Sequence, residues 1–181
     1  MPFAGDRFSW LPFSVSALQL AVGDAHRLLE AWGPALSAYE QVQQQWDDAA
    51  APLVGRYLSL TEALPEDLRS RWGVARAYQT LEDPYEASGW LETIAEMDPE
   101  QTPAVRDAAY ALADAHPTSS RTWFVLGKLA AETEEHKTCV EHMERALSEG
   151  GELPEPSMTL LHDLLGRAYH TLGHLDDAAA H

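Results

Sequence analysis

"TWFVLGKLAAE", Thr122–Glu132, has the composition of a helix but carries Gly127 at its centre. A glycine inside a helix costs about 1 kcal/mol relative to alanine, so a compensating role for this glycine is expected. The same local pattern, an apolar residue followed by glycine and then a charged residue, recurs at 22–24, 54–56 and 165–167. Recurrence at the middle of four predicted helices indicates an internal repeat.

Apolar residues recur at helical spacing in short segments that are bounded by proline and glycine, and no segment is typical of a strand. Short connections between such helices favour antiparallel hairpins that stack side by side. The predicted helices span 14–31, 33–46, 50–63, 66–81, 84–97, 103–115, 119–132, 135–149, 156–172 and 175–181.

This pattern resembles the tetratricopeptide repeat (TPR), a 34-residue helix-turn-helix unit with W-x2-L-G-x2-Y in its first helix and A-x3-F-x2-A in its second. The matches are Trp123, Leu126, Gly127, Cys139, Met143 and Ala146 in one unit, Val22, Gly23, Ala35, Tyr39 and Val42 in the first, and Leu165, Gly166, Tyr169, Gly173 and Ala178 in the last. The resemblance implies an all-α, right-handed solenoid of about five stacked antiparallel helix hairpins. It also implies that each motif glycine lies where two helices cross closely.

Two pairings of the central helices are compatible with the sequence. Residues 68–101 can be framed as one TPR-like unit, which leaves the helices at 50–63 and 103–115 without partners. Strict alternation instead pairs 50–63 with 66–81, and 84–97 with 103–115. Short connections favour the alternating pairing.

The repeat domain is predicted to span residues 14–181, with an incomplete last repeat because its second helix has room for only about two turns. Residues 1–13 contain an aromatic cluster and are predicted to form an N-terminal extension or cap over the first hairpin. A partner-binding or membrane-surface segment is the alternative for the same residues. The aromatic residues are Phe3, Phe8, Trp10 and Phe13.

Charge and composition exclude several classes of protein. With 29 acidic and 12 basic residues the net charge is −17, which argues against nucleic acid as a partner. No apolar run reaches the roughly 18 residues that a membrane span needs. The single cysteine, Cys139, is compatible with a reducing cytoplasm but does not require one, so the compartment stays open: a cytoplasmic location is favoured, and a periplasmic one is the alternative if an export signal was removed.

Catalytic and metal-binding motifs are not evident in the sequence. It has no nucleophile elbow, phosphate-binding loop or dinucleotide fingerprint, so we expect a protein that is not an enzyme and takes no cofactor. His136, Cys139 and His142 are spaced along one helix and could offer soft ligands. However, Cys139 occupies the inward packing position of the TPR pattern, with both histidines predicted on exposed sides, so no metal site is expected.

The resemblance places the residues that follow each motif glycine on the concave side of the solenoid. Three of these four are cationic, namely Arg56, Lys128 and Arg167. The other predicted groove positions are Arg27, Arg121, Phe124, Asp163 and His170. Such a basic, aromatic-bearing strip suits an acidic peptide or a free C-terminal carboxylate, with local ion pairing as the alternative fate of the cations.

The predicted function is therefore a non-enzymatic scaffold that binds a peptide or protein segment in its concave groove. The alternative is homo-oligomerisation through the uncapped last repeat or the aromatic N-terminus.

Overall fold

The computed structural model describes residues 14–150 and 153–181, and this part of the chain contains helices and no strand. The predicted cap at residues 1–13 lies outside the described residues. The α-helices are α1 Val15–Leu28, α2 Trp32–Gln45, α3 Ala50–Ala63, α4 Leu68–Thr80, α5 Pro84–Met97, α6 Thr102–Ala115, α7 Ser120–Glu132, α8 His136–Ser148, α9 Glu155–Leu172 and α10 Leu175–Ala178. Two short 3₁₀ turns that the sequence did not predict span Asp47–Ala49 and Pro99–Gln101. None of the helices in the described ranges has the length and apolar character needed to cross a membrane.

The chain divides into two compact units, Met1–Gly73 and Val74–His181, with the division inside α4. In the N-terminal unit α2 contacts both α1 and α3. In the C-terminal unit each helix from α5 to α10 contacts the next one along the chain, and α7 also contacts α5 and α9. The predicted all-α fold of stacked, TPR-like helix hairpins is thus confirmed within each unit.

In the N-terminal unit, two glycines lie directly against buried tyrosine rings. A Cβ atom added to Gly23 of α1 would overlap the ring of Tyr39 in α2, and one added to Gly73 of α4 would overlap the ring of Tyr57 in α3. The two rings meet edge to face, with centroids 6.0 Å apart, and neither tyrosine is exposed. Glycine on the outer helices therefore allows two bulky rings to fill the space between α2 and α3.

The motif glycines do not all have this role. Gly127 behaves as predicted, because an added Cβ would lie 2.8 Å from Cγ of buried Met143 in α8. The contact at Gly166 is looser, because an added Cβ would lie 3.6 Å from the carbonyl oxygen of Ala178. The prediction for Gly55 is wrong: it is exposed, with no atom within 4 Å of an added Cβ. The close crossing in this part of the chain is made by Gly73 instead.

Tight turns of one kind join three pairs of helices. Glu30, Glu82 and Glu134 have φ values of 55°, 56° and 59°, so the spacing between successive turns is 52 residues, from 30 to 82 and from 82 to 134. After each glutamate, the next N–H donates to the carbonyl five residues earlier, as in a Schellman helix end. The last such turn has Gly173 at the same place, with φ 80°.

The three glutamate turns follow α1, α4 and α7, so they recur every three helices, whereas helix hairpins repeat every two helices. The ion pair between Glu40 and Arg69 recurs 52 residues later as Glu92 with Arg121. Helix α4 contacts α3 where Tyr57 covers Gly73, and the turn at Glu82 then leads α4 into α5. The contact between Tyr57 and Gly73 supports the alternating pairing of α3 with α4.

Replacing Glu134 with glycine is expected to raise the free energy of unfolding by about 1 kcal/mol, because a left-handed backbone is strained for residues that carry a Cβ. Glu134 is exposed, so little side-chain contact is lost. Urea denaturation measures the change. The control is Glu141→Gly at an exposed position inside α8, which should lose about 1 kcal/mol; a loss at both positions would contradict the assignment of strain to Glu134.

Candidate functional site

A polar seam joins α5 to α7 in the C-terminal unit. The hydroxyls of buried Ser88 and Thr122, 34 residues apart, lie 2.8 Å from each other. One turn further along α5, Glu92 accepts hydrogen bonds from Arg121 at 2.5 Å and from Lys128 at 2.9 Å. Two of the predicted groove cations on α7 therefore form ion pairs with Glu92 of α5.

Lys128 is tightly held in this seam. Its ammonium group also donates to Glu96, and its side chain is 16% exposed. Burial lowers the pKa of Lys128, but the hydrogen bonds to Glu96 and Glu92 outweigh that effect and leave the pKa above its ordinary value. Lys128 therefore remains a fixed positive charge at the end of the seam.

The aromatic groove position predicted at Phe124 is not at the surface. Phe124 is 1% exposed, and the guanidinium carbon of Arg121 lies 5.9 Å from the centre of its ring. The same guanidinium lies 5.5 Å from the ring of Tyr85, which is 43% exposed. The exposed aromatic surface beside Arg121 thus belongs to Tyr85 of α5, because the side chain of Phe124 is buried in the hydrophobic core.

The predicted cations of the N-terminal unit are also engaged. Arg56 of α3 donates to both carboxylate oxygens of Asp24 in α1, at 2.9 Å and 2.7 Å, and the Tyr39 hydroxyl donates to the same carboxylate at 2.7 Å. Burial raises the pKa of Asp24, but these hydrogen bonds dominate and lower it overall. Burial and the nearby Asp24 raise the pKa of Tyr39 to about 12. Arg27 is half-buried nearby.

A cleft of about 330 Å³ lies between α7, α8 and α9. We call it the α7–α9 cleft. Lys128 and Arg167 contribute two cationic side chains and Glu132 an acidic one, and most of the remaining lining is apolar. The lining also includes His136, Cys139, Leu160 and Leu164. Two predicted groove residues therefore meet at one cleft.

Cys139 of the α7–α9 cleft is a packing residue in this structure. It is fully buried, and burial raises the pKa of its thiol. The thiol therefore stays protonated at neutral pH, whereas a reactive cysteine requires the thiolate.

Arg167 is the most available cation of the predicted set. Its side chain is 74% exposed, and its nearest acidic partner in the described residues is Asp163, at 3.5 Å and one turn earlier on α9. Such exposed pairs contribute little, so the guanidinium can exchange this partner for another at small cost. Asp163, Arg167 and His170 also line a second, shallower cleft on the exposed face of α9.

The apolar part of the α7–α9 cleft was not predicted from the sequence. Leu160 and Leu164 are four residues apart on α9, and Leu160 is 36% exposed. They form a second apolar stripe beside the buried stripe that contains Leu161 and Leu165. The second stripe could have been recognised in the sequence, because a helix that packs on one side only needs a single apolar stripe.

His142 is not on the exposed side where the sequence pattern placed it. It is 9% exposed, its Nε2 lies 3.0 Å from the Tyr110 hydroxyl, and its ring is 5.5 Å from that of Trp123. The Arg145 guanidinium covers the same indole at 4.0 Å. His142 thus belongs to a polar-aromatic cluster between α6, α7 and α8. Within residues 14–150 and 153–181, no three histidine, cysteine or acidic side chains are arranged to hold a metal ion.

Acidification should destabilise the C-terminal unit through His142. Burial lowers the pKa of His142 below 6.5, so the folded state favours the neutral ring while the unfolded chain takes up a proton near pH 6.5. Its contribution is present above pH 6.5 and is lost as the pH falls through the folded-state pKa. We expect Tm to fall between pH 7.5 and pH 5, and the fall to be smaller in His142→Gln; an equal pH dependence of Tm in both proteins would contradict this role.

Comparison with known proteins finds similar solved structures, but no family model and no curated protein matches the chain. A crystal structure of the MamA protein is similar with a TM-score of 0.45 and 17% identity, over 91% of this chain and 86% of that one. A structure of MamA from residue 41 to its end, from Desulfovibrio magneticus, has a TM-score of 0.40 and 14% sequence identity, over 91% of this chain and 89% of that one. The structure of TTC0263, a thermophilic TPR protein in Thermus thermophilus, has a TM-score of 0.35 and 17% sequence identity, over 91% of this chain and 87% of that one.

Proposed function

We propose that this chain is a non-enzymatic scaffold and that its α7–α9 cleft binds a peptide segment carrying an apolar side chain next to a carboxylate. The observation that carries the proposal is the position of Lys128 and Arg167 beside the apolar side chains of Leu160 and Leu164 in one cleft. An apolar floor next to the exposed guanidinium of Arg167 suits a ligand with both an apolar side chain and a carboxylate.

The two cations have different roles in this proposal. Lys128 already shares its charge with Glu92 and Glu96, so it mainly sets the orientation of an incoming carboxylate. Arg167 is largely exposed and holds only a weak partner, so its guanidinium can form the paired, charge-assisted hydrogen bonds that carboxylates favour. Arg167 should therefore contribute most of the polar binding free energy.

The size of the cleft limits what it can hold. Its volume of about 330 Å³ is at the low end of the range of roughly 300–1,000 Å³ that is typical of ligand pockets. One or two side chains fill such a volume, which favours a short extended segment or a chain terminus over a folded surface. The carboxylate can come from an aspartate, a glutamate or a free C-terminus.

The remaining predicted groove residues are proposed as secondary contacts. In the C-terminal unit, Arg121 would have to exchange its ion pair with Glu92, and His170 extends the contact surface along α9. In the N-terminal unit, Arg27 and Arg56 are proposed as separate contacts, and Arg56 would have to exchange its ion pair with Asp24. Self-association is the alternative function. It predicts a sedimentation coefficient that rises with protein concentration, whereas peptide binding by a monomer does not.

Arg167→Glu should weaken peptide binding at least about tenfold, because it replaces an attractive charge with a repulsive one. The probe is a set of unstructured dodecapeptides, selected on the wild-type chain from a random library with free C-termini. Fluorescence anisotropy measures the Kd of each. The control is Lys137→Glu, which makes the same charge change at an exposed position on α8 outside the cleft.

Enrichment of acidic peptides with leucine, methionine or phenylalanine beside the carboxylate would support the proposal, provided that only Arg167→Glu weakens them. Equal weakening by both variants would show a general charge effect and contradict the assignment of the site. Failure to select any peptide with a Kd below about 1 mM would contradict the proposed function itself.

A further inference from the structure

The first helix presents an apolar stripe to solvent. Val15, Leu18 and Val22 of α1 and Leu29 directly after it are 44%, 60%, 48% and 78% exposed, and they lie on one side of the helix axis together with exposed Ala25. The intervals of three and four residues are those of a seam that packs against another segment. We call these five residues the α1 stripe. The opposite side of α1 already packs on α2 through Gly23.

The α1 stripe is free of charge in a chain whose net charge is −17. None of the exposed residues of α1 is charged. Asp24 lies on the other side of the helix, where Arg56 and Tyr39 hold its carboxylate. A charged partner segment would therefore find no complementary charge on the stripe, so the expected occupant is apolar.

We propose that residues 1–13 of the same chain cover the α1 stripe. Six of these residues are large and apolar, namely Met1, Phe3, Phe8, Trp10, Leu11 and Phe13. The segment joins α1 directly at Ser14, whose hydroxyl accepts a hydrogen bond from the Ala17 N–H and caps the helix. Two apolar surfaces that are adjacent in the chain can thus bury each other.

Length and tethering both favour this occupant over a second copy of the chain. Thirteen extended residues reach about 43 Å, whereas the 14 residues of α1 span about 21 Å, so the segment can turn back along the whole stripe. A short tether also gives an effective concentration on the order of millimolar. At micromolar protein concentration a second copy cannot compete unless it binds far more tightly.

Trypsin tests this proposal on the full chain, because Arg7 is the only basic residue in the segment. Release of residues 1–7 from the native protein is followed by mass spectrometry. Proteolysis requires the segment to open, so removing its docking surface should speed cleavage. We expect release to be about tenfold faster in Leu18→Asp than in the wild type. The milder Leu18→Gln, with helicity checked by circular dichroism, should also speed release.

The matched control is Leu175→Asp, which changes a leucine that is 63% exposed on α10 and should leave the rate unchanged. Unchanged release in both Leu18 variants would overturn the proposal. Release that slows with increasing protein concentration, together with dimers in sedimentation, would also overturn it and identify a second copy as the occupant. Since the α1 stripe and the α7–α9 cleft belong to different units, the test is independent of the proposed function.

Discussion

Replacing Gly23 with alanine is expected to lower the free energy of unfolding by about 3 kcal/mol, the upper end of the usual cost of overpacking. The added methyl group would overlap the ring of Tyr39, which is rigid and fully buried. The ring cannot turn away, because it is wedged edge to face against Tyr57 and its hydroxyl donates to Asp24. Helices α1 and α2 must therefore separate. Urea denaturation followed by circular dichroism measures the loss.

Gly55→Ala is the matched control for this substitution. Gly55 also lies inside a helix, but it is exposed and an added Cβ meets nothing within 4 Å. Here the helix propensity of alanine should raise the free energy of unfolding by about 1 kcal/mol. Changes of the same sign at the two positions would contradict the role assigned to the crossing at Gly23. Gly127→Ala should cost less than Gly23→Ala, because the facing Met143 side chain is flexible.

Glu92→Gln is expected to lower the free energy of unfolding by about 2 kcal/mol. Glu92 is 15% exposed and accepts hydrogen bonds from both Arg121 and Lys128, which are each 16% exposed. The substitution removes the negative charge that the two cations share, so Arg121 loses its ion-pair partner and Lys128 keeps only Glu96. Hydrogen bonds to charged groups contribute roughly 1.5–3 kcal/mol, and a buried ion that loses its partner adds a desolvation cost.

The control for Glu92 is Glu40→Gln, which breaks the corresponding pair 52 residues earlier in the chain. Its partner Arg69 is 53% exposed, so solvent already screens the interaction. We expect a loss of no more than about 0.5 kcal/mol. If Glu40→Gln proved as costly as Glu92→Gln, burial would not be the factor that sets the strength of these pairs.

The helices could be predicted from the sequence because their boundaries are local. Proline at the start of α5 and the side-chain caps of Asp83 and Ser119 are readable without knowledge of the fold. The crossings at Gly23 and Gly127 were also predictable, because each has a bulky partner 16 residues later. Gly55 shares their local pattern but lies on the outward face, and that pattern does not encode which face is buried.

The candidate site could be predicted only in part. The positions of Lys128 and Arg167 follow from the glycine that precedes each of them. The partner of Lys128 does not, since Glu92 is 36 residues earlier and becomes a neighbour only when α5 packs on α7. The turns at Glu30, Glu82 and Glu134 were not predicted for a related reason: the TPR pattern has a period of about 34 residues, and glutamate is not the residue expected at positive φ.

Binding of a peptide in the α7–α9 cleft, as proposed, is tested most directly by crosslinking. A photoreactive benzoylphenylalanine is attached next to the carboxylate of a selected peptide, and the crosslinked residues are mapped by mass spectrometry. We predict crosslinks at Leu160 and Leu164, lost in Arg167→Glu and retained in Lys137→Glu. Crosslinks that map to the N-terminal unit, or that persist unchanged in Arg167→Glu, would contradict the claim.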